Sequence, residues 1–311
     1  MEGVVDSEMR SVLTQIGGYD RCVTEFVRVT EQRLPDHVFR RFCPELDTGG
    51  TTPSGTPVYL QLLGGNAHWM GINAGLAQKL EPLGIDLNFG CPSKTVNKSD
   101  GGSALLKEPQ RVGDIVAAVR DAVDPSIAVT AKIRLGFSNH DFLDEITDQV
   151  VRGGASQLCI HARTRDDRYK PPAYWHVVKS VSDRVSIPIV INGEIWSPED
   201  AQAALEQSGC EHLMLGRGAL SCPDLAKRIK QSNEGTADEA LTWDQTLEIM
   251  QRYLRTSCSK HPMFVSNRSK QWLAFLRMHF PQAAELFTLI KRLKVAEDVF
   301  AVIDSFSAKT G

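Results

Sequence analysis

Short β-branched apolar runs recur along the first two-thirds of the chain, separated by longer stretches with helical periodicity, and this rhythm limits the possible folds more than any other feature. The runs are Cys22–Val27, Val58–Leu63, Ile85–Asn88, Ala128–Arg134, Gln157–His161, Pro188–Asn192 and His212–Leu215. Helical patterns fill gaps between them at Ala67–Leu80, Pro109–Ala122, Asp141–Arg152 and Pro198–Gln207. Such alternation predicts parallel strands joined by crossover helices. The runs are apolar almost throughout, as expected of strands covered on both faces. Seven strands are one short of the eight that close a (β/α)8 barrel. The sheet is therefore either open and doubly wound, or a barrel with one strand absent from this sequence. Polar residues end most of the runs: Gln61, Asn88, Lys132, His161, Asn192 and Gly216. A barrel gathers all carboxyl ends around one mouth, whereas an open sheet concentrates function at a switch point, so the pattern favours the barrel.

Beyond about Gly218 the strands stop and helical patterns continue to the end, after a polar linker at Gln231–Ala240. Two domains are expected, a catalytic α/β barrel over residues 1–235 and a helical domain over 241–311. The net charge of −3 argues against a general nucleic-acid binder. It hides an asymmetry, because Ile249–Lys294 holds nine basic residues against Glu285, a net charge of +8 that leaves −11 on the rest. A basic helical module on an acidic barrel suits a polyanion, although charge runs are more often just solvated faces. The seven cysteines form no C-x-x-C pair, which excludes common zinc and iron–sulfur spacings, and their odd number fits reduced thiols. No apolar run reaches the ~18 residues of a membrane span, and Met1–Asp6 lacks the character of a signal peptide, so a cytoplasmic location is expected.

The carboxyl ends carry the candidate chemistry. Asn192-Gly193-Glu194 and Gly216-Arg217-Gly218 could bring backbone N–H groups against a phosphate, the alternative being plain turns. Lys132 and Arg134 alternate onto one face of their strand; a flavin edge or a strand carboxylate could partner Lys132. Gln61 could read a flavin or pyrimidine edge. His161 and Arg163 could hold phosphate or substrate, or serve the structure alone. The most specific stretch is Asp86-Leu87-Asn88-Phe89-Gly90-Cys91-Pro92-Ser93-Lys94, a strand running into a Gly-Cys-Pro turn. It puts Cys91 on a loop expected to move over the mouth, as nucleophile or general acid. Cys22 and Cys159, within apolar strands, are expected to be inert core thiols.

At Asp86–Asn97 the chain resembles the tRNA-dihydrouridine synthase family, closest to its bacterial DusC branch. The likeness extends through Met1–Val4, Thr24–Arg28, Gln61–Gly64, Lys132–Gly136, His161–Thr164, Asn192–Trp196, Gly216–Leu220 and Ser269–Leu273. The resemblance implies FMN as cofactor, NADPH (or NADH) as reductant, and tRNA as substrate, with uridine 16 of the D-loop as target. It implies that Cys91 is the proton donor. Met1, Gln61, Lys132, His161, Asn192, Gly193, Glu194, Gly216 and Arg217 would hold FMN. Arg28, Asn88, Tyr169, Arg268, Lys270 and Lys291 would contact tRNA; Lys291 stands where the family has arginine. No metal and no obligate protein partner are implied, and a monomer is expected. Family members carry an apolar strand just before the Met-Glu-Gly of this chain's start, so the missing strand corresponds to their first. Two other readings stand beside this one: a flavin barrel reducing a free pyrimidine, which the basic tail disfavours, and a tRNA-binding protein whose flavin binding is impaired by the missing strand.

Overall fold

The computed structural model describes residues 3–236, 240–260 and 262–310. The chain divides into two compact units, Asp20–Ile195 with Glu199–Leu215, and Val4–Tyr19 with Trp196–Pro198 and Gly216–Gly311.

The first unit is a parallel sheet wrapped by helices. Its strands are β1 (Cys22–Val23), β2 (Val27–Arg28), β3 (Val58–Leu63), β4 (Gly84–Asn88), β5 (Ala128–Arg134), β6 (Gln157–His161), β7 (Ile189–Asn192) and β8 (His212–Met214). They run in the order β1-β3-β4-β5-β6-β7-β8, with β2 also on β3, and every pairing is parallel. Among the described residues β8 pairs only with β7, so the sheet is an open segment of a barrel-type architecture. Exposure follows from this: β4 to β7 are almost wholly buried, while His212 on β8 is exposed and Leu213 and Met214 are half-buried.

The run Cys22–Val27 forms two strands rather than one. Cys22 lies opposite Val58, but Val27 lies opposite Leu62, so the register slips by one residue between them. The cause is Thr24, whose N–H donates to the Tyr59 carbonyl while its hydroxyl oxygen accepts the Gln61 N–H at 3.0 Å. A side-chain acceptor here replaces a ladder carbonyl and leaves an extra residue as a bulge.

The helices come in chain order: α1 (Ser7–Ile16), α2 (Asp36–Phe42), α3 (Ala67–Ala77), α4 (Lys94–Lys98), α5 (Pro109–Ala122), α6 (Leu143–Arg152), α7 (Lys179–Ser182), α8 (Pro198–Ser208), α9 (Arg217–Ser221), α10 (Leu225–Glu234), α11 (Trp243–Lys260), α12 (Pro262–Leu276), α13 (Pro281–Ile290) and α14 (Ala296–Thr310). The expected linker differs in its first part, because Gln231–Glu234 continue α10. Gly235, at φ 66°, ends that helix in the left-handed conformation that glycine adopts without strain.

In the second unit α1 shares a core with the C-terminal helices, Met9 and Leu13 clustering with Leu220, Trp243, Leu247, Trp272 and Phe306. The boundary therefore differs from the expected division at 235/241, since Val4–Tyr19 and Gly216 onward belong with the helices. Trp272 Nε1 donates to the Leu220 carbonyl at 3.1 Å, fixing α12 against α9. No helix among the described residues is long and apolar enough to cross a membrane.

Candidate active site

Register places the site. Parallel neighbours in register present their side chains to the same face. Gln61 lies opposite Asp86, Asp86 opposite Thr130, Asn88 opposite Lys132, Lys132 opposite Cys159, and His161 opposite Asn192. One polar face therefore runs across β3 to β7.

The face is wired by hydrogen bonds. Asp86, fully buried, accepts from Gln61 Nε2 at 2.7 Å and from the Thr130 hydroxyl at 2.6 Å. Gln61 Oε1 accepts from Asn88 Nδ2 at 2.8 Å, and Asn88 Oδ1 accepts from the Gly90 N–H at 3.0 Å. A carboxylate only accepts, so Asp86 dictates the orientation of the Gln61 amide, and Gln61 that of Asn88. Burial pushes the Asp86 carboxyl above its ordinary value, against the opposing effects of the Thr130 and Gln61 hydrogen bonds and the Lys132 charge. Asp86 and Thr130 were not recognised from sequence, because both read as ordinary strand residues. The adjacency of Gln61 and Asp86 is a matter of register, which one sequence does not display.

This relay yields a prediction. Asp86→Leu removes the acceptor of both Gln61 Nε2 and the Thr130 hydroxyl, so nothing holds the Gln61 amide in its present orientation. Asn88 then loses its fixed partner, and the acceptor that it offers to the Gly90 N–H is no longer set. Turnover should fall by about 10-fold or more, in line with a net loss of ~1–3 kcal/mol for a buried donor left without its acceptor. Circular dichroism should stay native, and normal turnover would show that amide orientation does not matter.

Lys132 Nζ donates to Asn192 Oδ1 at 2.9 Å, and Asn192 Nδ2 donates to the Met214 carbonyl at 2.7 Å. No carboxylate lies within salt-bridge distance of Lys132 among the described residues, so the alternative of a strand-carboxylate partner is not realised. Burial lowers its pKa, the charge of Arg134 adding to the effect and those of Cys159 and Asp86 opposing it. An ammonium held only by a neutral amide is a fitting partner for an anionic ring edge.

Arg134, on the same strand and fully buried, does structural work. Nε donates to the Gly90 carbonyl at 2.8 Å, and NH1 to the Thr164 and Arg168 carbonyls at 2.9 Å each. It ties the β4 and β6 loops together. Arg163 is likewise committed: it donates to the Lys170 carbonyl at 2.7 Å and the Pro172 carbonyl at 3.1 Å, lies 3.3 Å from His161 Nε2, and pairs with Glu194. Gly193, at φ 114°, packs so tightly that a Cβ would stand 2.7 Å from the His161 ring. Glu194 takes a positive φ of 57°, an uncommon conformation for a residue with a side chain. His161, Asn192, Gly193 and Glu194 thus lie together at the β6 and β7 ends.

Cys91 follows β4 on a loop pinned through its own carbonyl. Its carbonyl accepts from Asn97 Nδ2 at 3.0 Å, the Ser103 hydroxyl at 2.8 Å and the Ser103 N–H at 3.1 Å. Residues 94–98 form α4 rather than open loop. The thiol is half-buried beside Phe26, Leu63 and Val96. Cys159 is buried, its pKa pushed up to about 11 chiefly by desolvation, as suits an inert core thiol. Cys22 is half-buried rather than buried, because it lies on the outermost strand.

Tyr169 is exposed, with its ring 6.1 Å from that of His161 and 5.3 Å from the Arg134 guanidinium. Arg28 is exposed at the end of β2. Within the helical unit Arg217 lies 5.1 Å over the Trp196 ring, next to Gly216 at the start of α9. Arg268 pairs with Asp6 at 2.7 Å, and Lys270 donates to Ser266 Oγ at 2.9 Å and to the Leu293 carbonyl. Lys291 is exposed at the end of α13. Met1 lies outside the described residues. No cluster of three potential metal ligands occurs among the described residues.

A parallel α/β sheet of the barrel type, polar on one face, with functional groups at its carboxyl ends, belongs to the class of (β/α)-barrel enzymes. Two solved structures share this fold. Histamine dehydrogenase from Rhizobium sp. 4-9 matches with a TM-score of 0.56 at 16% identity over 85% of this chain and 49% of its own. The old yellow enzyme homologue from Zymomonas mobilis matches with a TM-score of 0.52 at 12% identity over 78% and 87%. The family profile "Dihydrouridine synthase (Dus)" matches residues 1–300, and the chain belongs to this family. Relatives named tRNA-dihydrouridine(16) synthase include one from Shewanella oneidensis, 45% identical over 98% of this chain and 95% of the relative. Another, from Vibrio cholerae, is 46% identical over 96% and 92%.

Proposed function

We propose that the chain reduces the C5=C6 bond of uridine in tRNA to dihydrouridine, at position 16 of the D-loop, with FMN as cofactor and NADPH as reductant. It is a flavin-dependent oxidoreductase of the dihydrouridine synthase family. The observation that best supports the chemistry is the registered pair Asn88 and Lys132, an amide beside an ammonium without a carboxylate partner among the described residues, with Cys91 three residues beyond Asn88 in the chain. The polar face and the ammonium of Lys132 fit the polar edge of a flavin.

FMN held there would, once reduced, supply the hydride that C6 of the uracil takes up. Lys132, Gln61, Asn192, His161, Gly193 and Glu194, with Gly216 and Arg217, would hold it. Asn88, with one N–H committed to Gln61, keeps a second for the uracil edge. The thiol of Cys91 gives its proton to C5 as the double bond is lost, and the thiolate regains one from solvent. The uridine must leave its stacked position in folded tRNA to reach this site. Arg28, Tyr169, Arg268, Lys270 and Lys291 contact the tRNA and set its orientation.

The test is to express the chain in a bacterial strain lacking all dihydrouridine synthases and map the modified base. Dihydrouridine at position 16 alone is expected; none, or modification elsewhere, would refute the assignment. A second reading, a tRNA-binding protein that retains flavin poorly, draws on the outer edge of β8, which pairs with no further strand among the described residues. It requires purified protein that binds tRNA yet shows no flavin absorbance when incubated with FMN.

A further inference from the structure

Behind the Cys91 loop lies a solvent-open cavity of about 460 Å³ whose walls include Lys94, Asn97, Lys98, Lys107, Phe137 and Arg165. Lys94 and Lys98 stand four apart at the two ends of α4 and so lie on one face of it. Phe137 holds the other two cations, the Lys107 ammonium 3.8 Å and the Arg165 guanidinium 4.9 Å from its ring centre.

The charges are not balanced locally. Arg165 pairs with its neighbour Asp166 at 2.8 Å, and Asp166 also accepts from Ser138. Asp100 and Glu108 are both taken by Arg111. Among the described residues Lys94, Lys98 and Lys107 pair with no carboxylate. Arg165 Nε is buried and lacks a hydrogen-bond acceptor. Four cations around one cavity, opposed by one carboxylate, repel each other, and a buried donor without an acceptor adds to the cost. An anion seated among them offsets both. The chain as a whole carries −3, so this is a local positive island.

The cavity shares a wall with the proposed reaction site: Asn97 lines it and donates to the Cys91 carbonyl at 3.0 Å. An RNA strand that delivers a base to Cys91 must carry its flanking phosphates past this loop. Flexible lysines in an open cavity match sequence-independent phosphate contacts. We propose that this cavity seats phosphodiester groups of the tRNA strand next to the reacting uridine, as a backbone site within the α/β unit. The inference rests on tRNA being the substrate.

The test compares wild type with Lys98→Gln/Lys107→Gln and with Lys79→Gln, an exposed lysine outside the cavity, in equilibrium binding of fluorescent tRNA across a salt series. The double variant should bind about 10-fold more weakly, and its slope of log affinity against log salt should fall by ~0.7–0.9 per lost phosphate contact. Lys79→Gln should match wild type, as should the KM for NADPH in the double variant. Unchanged tRNA affinity and slope overturn the proposal. So does a raised KM for NADPH with unchanged tRNA binding, which gives the cavity to the phosphates of the dinucleotide. If the wild type itself does not bind tRNA, the substrate reading has failed instead, and this proposal falls with it. Native circular dichroism and melting of the variant separate a lost contact from a lost fold.

Discussion

Cys91→Ala should retain flavin as well as wild type and form dihydrouridine about 10²–10⁴-fold more slowly, the range for loss of a positioned general acid. The loop holds its shape through the Cys91 carbonyl, which Asn97 and Ser103 anchor, and the substitution leaves that carbonyl in place. The side chain packs against Phe26, Leu63 and Val96, a contact that a methyl group partly preserves. The loss therefore falls on the proton transfer rather than on the fold. Single-turnover reduction of tRNA by pre-reduced enzyme isolates that step, and the flavin absorbance of the purified variant reports retention. Cys91→Ser should not rescue, because a hydroxyl is a much weaker acid than a thiol. Near-normal single-turnover rates in the alanine variant would remove Cys91 from the mechanism.

Much of this arrangement was legible in the sequence because apolar strands that end in polar residues advertise both their burial and their mouth. Gln61, Asn88, Lys132, His161 and Asn192 all stand at or near strand ends, and the parallel register brings them onto one face. The break between β1 and β2 was not legible, since it depends on the Thr24 hydroxyl capturing a particular N–H from the neighbouring strand. Nor was the placement of α1. Its apolar residues Met9 and Leu13 mark an amphipathic helix, but not that their partners, such as Trp243 and Leu247, lie more than two hundred residues downstream. The basic character of residues 249–294 overstated the free charge for the same reason. Arg268 is paired with Asp6 and Arg255 with Asp304, acids that lie outside that window. The cationic cavity beside α4 is not legible in the sequence either, because its four positive residues come from three separate stretches of chain.

Lys132→Met should release the flavin. The charge-assisted hydrogen bond that it removes is worth about 1.5–3 kcal/mol, which corresponds to a roughly 10- to 150-fold weaker FMN affinity. Fluorescence titration of flavin-free protein with FMN measures it directly. The same substitution should not destabilise the flavin-free protein, and the sign follows from linkage. Burial depresses the Lys132 pKa in the folded state below its unfolded value, so the folded chain binds fewer protons between those two values. Wild-type stability therefore carries a penalty at neutral pH that is relieved as pH rises through the folded pKa toward the unfolded one. Methionine, of similar length and uncharged, has no such penalty. Flavin-free Lys132→Met should melt at or above the wild-type temperature at pH 7, and the difference should narrow in alkaline buffer. A residue present for packing alone would give the reverse result, with lower melting temperature and unchanged FMN affinity. That outcome would take Lys132 out of the cofactor site, and with it the argument that an ammonium without a carboxylate partner marks where the flavin sits.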